Sequence, residues 1–260
     1  MIVVRKEKAI EKRLRDIIFT IYNRIENNNN AIFSSNGEEY FLNLFLKTDI
    51  NIVFDVGANM GEYSKLLLKK SKDLNKDIEL HIFEPLSTCF NKIQNEFSHG
   101  ENIFLNNFGI SDEEKETEIY FDAAGSSFAS LYQRDLSKIN KQLNQKEKIK
   151  LRRVDNYITE VKIPKIDLLK IDVEGHELNV LKGVGKFLDS DFIKAIQFEY
   201  GGANLDSRTY LKDLYNILEP KGYIMCKIMR NSIQPRNYES KMENFQYANY
   251  LAVSPLLIND

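Results

Sequence analysis

Residues 50–64 read Ile-Asn-Ile-Val-Phe-Asp-Val-Gly-Ala-Asn-Met-Gly-Glu-Tyr-Ser, a short apolar run that breaks into a turn and then a helix. Ile52, Val53 and Phe54 are consecutive and β-branched or aromatic, the pattern of a strand covered on both faces of a parallel sheet. Gly57 and Gly61 bracket the turn, where a residue without Cβ admits unusual dihedrals and lets a ligand approach the main chain. The following helix presents unpaired backbone N–H groups to whatever rests on the loop. Taken alone, the stretch also fits the strand-to-helix turn of any doubly wound protein.

The loop differs from a dinucleotide fingerprint. It lacks G-x-G-x-x-G, which lets a pyrophosphate approach, and it begins with a carboxylate, Asp55. An acidic strand end with a wide-spaced glycine pair suits a ligand that carries an ammonium group and no phosphates, as S-adenosylmethionine does and NAD does not.

At 260 residues the chain can bury a substantial core. A net charge of −2 and a pI near 6.1 exert no general pull on nucleic acid. Two cysteines, Cys89 and Cys226, make no disulfide framework or zinc-like cluster, which points to a reducing cytoplasm. No apolar run approaches the roughly 20 residues that span a bilayer, and residues 1–4 are too short an apolar start for a signal peptide. These features predict a soluble cytoplasmic protein with no stable membrane association.

Residues 5–26 are charged, with Ile10, Leu14, Ile17, Ile18 and Ile21 at helical spacing. Interleaved Glu7, Glu11 and Asp16 argue for packing on the domain or on a partner subunit rather than on a membrane. Residues 27–30, four asparagines, read as a loop, and residues 39–47 as a second helix. Residues 1–48 thus form a helical extension, and 49–260 the main domain.

Residues 78–84 read as a second strand ending in Glu84, placed where nucleotide-binding sheets set a carboxylate for ribose hydroxyls; Pro85 stops it. His81 reads as an ordinary sheet residue. A helix over residues 87–97 and a strand over 103–106 follow, with Asn107 and Phe108 at the tip as candidate adenine contacts. Between about 116 and 155 the alternation fails: strands over 117–121 and 149–154 flank a serine-containing turn and a charged stretch that is helical or mobile. An excursion of this length is usually functional or disordered; it reads as a flap over the site, with its serines near the substrate, or as a solvated flap.

The strand at 166–171 runs into Asp172-Val173-Glu174-Gly175-His176-Glu177. Lys170, Asp172, Glu174 and His176 are four ionisable groups within seven residues at a strand tip, and burying charge is costly unless it is paired, so such clusters are usually sites. The next strand, 195–198, ends in Glu199. A helix is expected over 205–219, then strands over 223–228 and 249–253 with no helix between them, implying an antiparallel hairpin at a sheet edge.

Asp55-Val56-Gly57-Ala58-Asn59-Met60-Gly61-Glu62-Tyr63, Phe83-Glu84-Pro85, and Leu169-Lys170-Ile171-Asp172-Val173-Glu174-Gly175-His176-Glu177 with Val180-Leu181-Lys182-Gly183 resemble the FkbM-type S-adenosylmethionine-dependent methyltransferases, over roughly residues 50–253. The resemblance implies an α/β, Rossmann-like class I methyltransferase fold: a seven-stranded, mostly parallel sheet with a terminal antiparallel hairpin and helices on both faces. It implies methyl transfer to a hydroxyl of a sugar, glycan precursor or secondary metabolite. Candidate cofactor residues are Asp55, Gly57, Asn59, Gly61, Tyr63, Glu84, Pro85, Asn107, Phe108 and Asp172; candidate catalytic residues are Asp172, Glu174, His176 and Glu199. Asp172 and Glu199 also suit a magnesium ion. The expected partner is a small-molecule hydroxyl acceptor, with self-association through the N-terminal helix a further possibility. An NAD-dependent oxidoreductase and a non-catalytic Rossmann-like binding module are the alternatives.

Overall fold

The computed structural model describes residues 8–98, 100–123 and 125–258; the expected beginning of the first helix, residues 5–7, and the apolar residues 1–4 lie outside them. In chain order the elements are α1 (Ala9–Ile25), α2 (Glu38–Phe45), β1 (Ile52–Val56), α3 (Glu62–Asp73), β2 (Glu79–Phe83), α4 (Ser87–Phe97), β3 (Ile103–Asn106), β4 (Gly109–Ile110), β5 (Lys115–Phe121), β6 (Gln145–Arg152), α5 (Val154–Val161), β7 (Ile166–Ile171), α6 (Glu177–Val184), β8 (Ile193–Tyr200), α7 (Gly202–Ser207), α8 (Leu211–Leu218), β9 (Ile224–Met229), β10 (Ser232–Pro235) and β11 (Ala248–Val253).

The α/β class is as expected. Among the described residues the main sheet has eight strands in the order β10-β9-β11-β8-β7-β1-β2-β3. The strands from β3 to β8 are parallel. The sequence reading needs correction at the far end. The expected antiparallel pair, β9 with β11, is present, but it is not the edge: β11 lies between β8 and β9, antiparallel to both. The edge is β10, hairpinned onto β9, and it accounts for the eighth strand. Ala248 to Val253 is buried throughout, an apolar run that needs a neighbour on each side to satisfy its backbone.

Strand parity assigns the two layers. Ile52, Phe54 and Val56 of β1 join α5, α6 and α8 in one core, through Tyr157, Val180, Leu181, Leu211 and Leu214. Val53 joins the opposite core with α2, α3 and α4, through Phe41, Leu42, Leu67, Ile93 and Phe97. α2 therefore belongs to the domain core, and the boundary expected at residue 48 does not separate it; only α1 stands apart, with no buried residue.

The 116–155 excursion joins β4 in a second sheet, β4-β6-β5, which packs on the start of α4 in a small core of Leu86, Cys89, Ile119, Phe121, Ile149 and Leu151. β6 begins at Gln145, earlier than its apolar residues suggest, because pairing with β5 extends through exposed charged positions. Val154 opens a helix instead of closing the strand. The helix expected over 205–219 is two helices, divided at Arg208, whose φ of 59° is left-handed.

Candidate active site

A cavity of about 990 Å³ opens at the carboxyl ends of β1, β2, β7 and β8, where open α/β sheets bind ligands. One wall is the β1–α3 loop with the tip of β2. Gly57 has a φ of +81°, and a Cβ there would fall 1.9 Å from the Asp172 carbonyl oxygen, so the tips of β1 and β7 approach too closely for a side chain. Glu84 holds this wall together: its Oε2 accepts from the Asn59 N–H at 2.8 Å and its Oε1 from the Leu86 N–H at 2.9 Å. Burial outweighs those two bonds and pushes its carboxyl up to about 7. Beyond Pro85 the lining becomes apolar, with Leu86, Ile110, Ile119, Ile149 and Leu151. Four of these five come from the second sheet, so the excursion supplies a wall.

The opposite wall is ionic. Asp172, Glu174 and Glu199 each offer a carboxylate oxygen within 4.8 Å of the others. The Tyr247 hydroxyl donates to Glu199 at 2.8 Å, and burial, reinforced by Asp172 and Glu174, drives the Glu199 carboxyl well above the carboxylate range. Glu174 occupies a left-handed conformation (φ 50°). Burial first, then the Asp172 charge, push its carboxyl up to about 8 against the pull of Arg134. The Lys170 ammonium lies 3.2 Å from Asp172 and 3.4 Å from Asp55. Burial disfavours its charge, but Asp172, Asp55, Glu38 and Glu199 together raise its pKa well above normal.

Parity and register explain why Asp55 is not on the cavity surface. Asp55, Lys170 and Gln197 are register partners across β1, β7 and β8 and make a buried polar row beneath α2 and α3. Ser64 donates to Asp55 at 2.7 Å, Tyr63 to Gln197 at 3.0 Å, and Gln197 to Glu38 at 2.7 Å. Asp55 thus frames the site. Gly61 is likewise off the cavity: its φ of +80° turns the chain where a Cβ would meet the Phe97 ring at 2.8 Å. Asn107 donates to the Glu84 and Pro85 carbonyls, and Phe108 packs between Phe83 and Arg152, so neither lines the cavity. Gly57, Asn59, Tyr63, Glu84, Pro85, Asp172, Glu174, His176 and Glu199 all do.

His176 is immobilised. Its Nε2 lies 2.9 Å from the Ser111 hydroxyl and its Nδ1 2.9 Å from the Tyr132 hydroxyl. Burial pushes its pKa down to about 4, so it is neutral at physiological pH with both nitrogens engaged, unlike a free base. The stretch after β5 is fastened over this region: Ser130 donates to the Glu174 carbonyl at 2.7 Å, and Arg134 pairs with Glu174 and Asp206. Gly125 to Ala129 line the cavity.

Sequence reading passed over Glu38, Tyr132, Arg134 and Tyr247. Glu38 follows Asn36-Gly37, where Asn36 accepts the Glu38 N–H at 3.0 Å; the only local signal is that of an ordinary acidic helix start. The four asparagines read as a loop form a knot. Asn27 donates to the Asn36 and Ile228 carbonyls, Asn28 accepts from Lys227 at 2.7 Å, and the Asn29 N–H reaches the Tyr247 carbonyl at 2.8 Å, which brings Asn29 and Glu38 to the cavity rim.

A family model described as the methyltransferase FkbM domain matches residues 55–225. Among solved structures, a methyltransferase FkbM from Methylobacillus flagellatus shares 16% identity at a TM-score of 0.49, over 78% of this chain and 43% of that one, so the present chain spans less than half of that protein. Fibrillarin from Aeropyrum pernix, solved with natively bound S-adenosyl-L-methionine, shares 12% identity at a TM-score of 0.43, over 80% of this chain and 68% of that one. No curated protein matches the sequence.

Proposed function

The chain belongs to the FkbM methyltransferase family, whose methyl donor is S-adenosylmethionine, and from that premise we propose that it methylates a hydroxyl oxygen of a small molecule. The donor set of the cavity fits the cofactor: an acid at the β2 tip for ribose hydroxyls, an apolar wall for a purine, and carboxylates for an ammonium group. When bound, the sulfonium supplies an electrophilic methyl group. Glu84 would hold the ribose hydroxyls, and Leu86, Ile110, Ile149 and Leu151 the purine.

The observation that carries the oxygen acceptor is the carboxylate group at the tips of β7 and β8, with Glu174 held near neutrality. An alcohol is a poor nucleophile at neutral pH, and a positioned base contributes about 10²–10⁴-fold. Glu174, at about 8, can take the proton of an acceptor hydroxyl held beside it. Asp172 and Glu199 orient the acceptor, and the fastened stretch over Glu174 excludes water. His176 positions Tyr132 rather than moving a proton. The triple carboxylate arrangement also favours a second reading, a magnesium ion held by Asp172, Glu174 and Glu199; Lys170 already places a cation beside Asp172, and the metal-free reading is preferred.

The test is incubation with donor carrying a ¹³C-methyl group and an extract of small metabolites. The expected product carries the label on oxygen, identified by its ¹³C shift. Label on nitrogen or carbon, or only on macromolecules, overturns the proposal.

A further inference from the structure

α1 contributes eight of the eighteen large hydrophobic side chains that are exposed among the described residues, and it buries none. Six of the eight, Ile10, Leu14, Ile17, Ile18, Ile21 and Ile25, fall within an arc of about 100° on a helical wheel. A helix in water depends on packing of such a stripe. The helix is not a loose leader, because its end is fastened to the sheet: Glu26 pairs with Lys227 and Arg236, each at 3.4 Å, and Asn27 and Asn28 bond into β9.

The stripe has a symmetry of its own. Its steps are 4, 3, 1, 3 and 4 residues, the same from either end. We infer that a second copy of this chain covers α1, the two helices lying antiparallel across a two-fold axis. Ile10 then lies level with the partner's Ile25, Leu14 with the partner's Ile21, and Ile17 with the partner's Ile18. An isologous contact uses the same patch on both copies, and a stripe that reads alike from either end sets apolar residues level with apolar residues, whereas a lipid surface makes no demand on the order of the residues. Glu11 and Asp16 between the basic residues of the helix also suit a protein partner better than an anionic bilayer. With the six side chains of the stripe each about half or more exposed, each copy can cover several hundred Å², on the order of the ~800 Å² that one partner gives to a standard interface.

Sedimentation of the full chain at micromolar concentration should give about twice the monomer mass of 30.3 kDa. The double substitution Ile17→Glu, Ile21→Glu changes only exposed positions. It should weaken association at least 100-fold while donor binding persists as evidence of folding. Direction is read by cross-linking, since a disulfide needs Cα atoms within about 7 Å and Cys89 and Cys226 are buried. Leu14→Cys and Ile21→Cys chains should cross-link when mixed and not alone. A monomeric wild type, including one that sediments with phosphatidylethanolamine–phosphatidylglycerol vesicles, overturns the inference. So does a dimer that survives the double substitution, or Leu14→Cys that cross-links to itself.

Discussion

The β1–β2 wall of the cavity and the β7–β8 wall are built by different means. On the first, the shape comes from main chain: a left-handed Gly57, a left-handed Asn59, and Glu84 closing on the N–H groups of Asn59 and Leu86. On the second, the shape comes from ionisable side chains that restrain one another, Lys170 with Asp55 and Asp172, Arg134 with Glu174, Tyr247 with Glu199. A wall shaped by main chain suits a ligand that is always the same, because the fold fixes backbone geometry. A wall of mutually perturbed carboxylates suits proton transfer, because small changes in charge move its pKa values. Donor binding and chemistry should therefore separate under mutation.

The largest expected effect is on the ionic wall. Glu174→Gln should lower kcat by about 10²–10⁴ and leave the donor Kd unchanged, and the wild-type rate should climb as pH rises toward about 8, since the base is the ionised form. Equal losses of kcat and donor affinity would dissolve the distinction between the walls.

His176 comes next. Its pKa is pushed down from 6.5 to about 4, so between those values the unfolded chain binds more protons than the folded one. Stability is then full above about pH 6.5 and falls on acidification, by up to about 3 kcal/mol. Denaturant titrations at pH 7 and pH 4.5 should show a shallower loss for His176→Gln than for wild type; parallel losses would remove His176 from the account.

On the main-chain wall, Glu84→Gln should weaken donor binding by about 1–3 kcal/mol, read by calorimetry, with kcat at saturating donor little changed. An unaltered donor affinity would mean that Glu84 only braces the loop. The smallest expected effect is that of a chelator: activity should persist, because Lys170 already neutralises Asp172. Loss of activity restored by magnesium would turn the ionic wall into a metal site.

Much of the first wall was legible in the chain. Asp55 to Gly61 and Phe83-Glu84-Pro85 are short contiguous signals at the ends of apolar runs, and the local backbone realises them. Asn107 and Phe108 misled because the residue after a strand tip can turn either toward a cleft or back onto the strand, and here Asn107 bonds to Glu84 and Pro85. On the second wall the cluster Lys170 to His176 was visible, but the engagement of His176 by Ser111 and Tyr132, from 65 and 44 residues away, was not.

Periodicity and strand-end chemistry alone determined the α/β class, the strand tips that line the cavity, the exceptional 116–155 stretch and the helical stripe of α1, because apolar burial and turn geometry act over a few residues. Tertiary structure alone decided that Asp55 faces Lys170 instead of a ligand, that β11 wedges between β8 and β9, and that Glu38 reaches the cavity. Which polar group stands opposite which depends on strand order and register between segments far apart in the chain, and in a buried site that pairing determines whether a charge is braced, shifted or free to act.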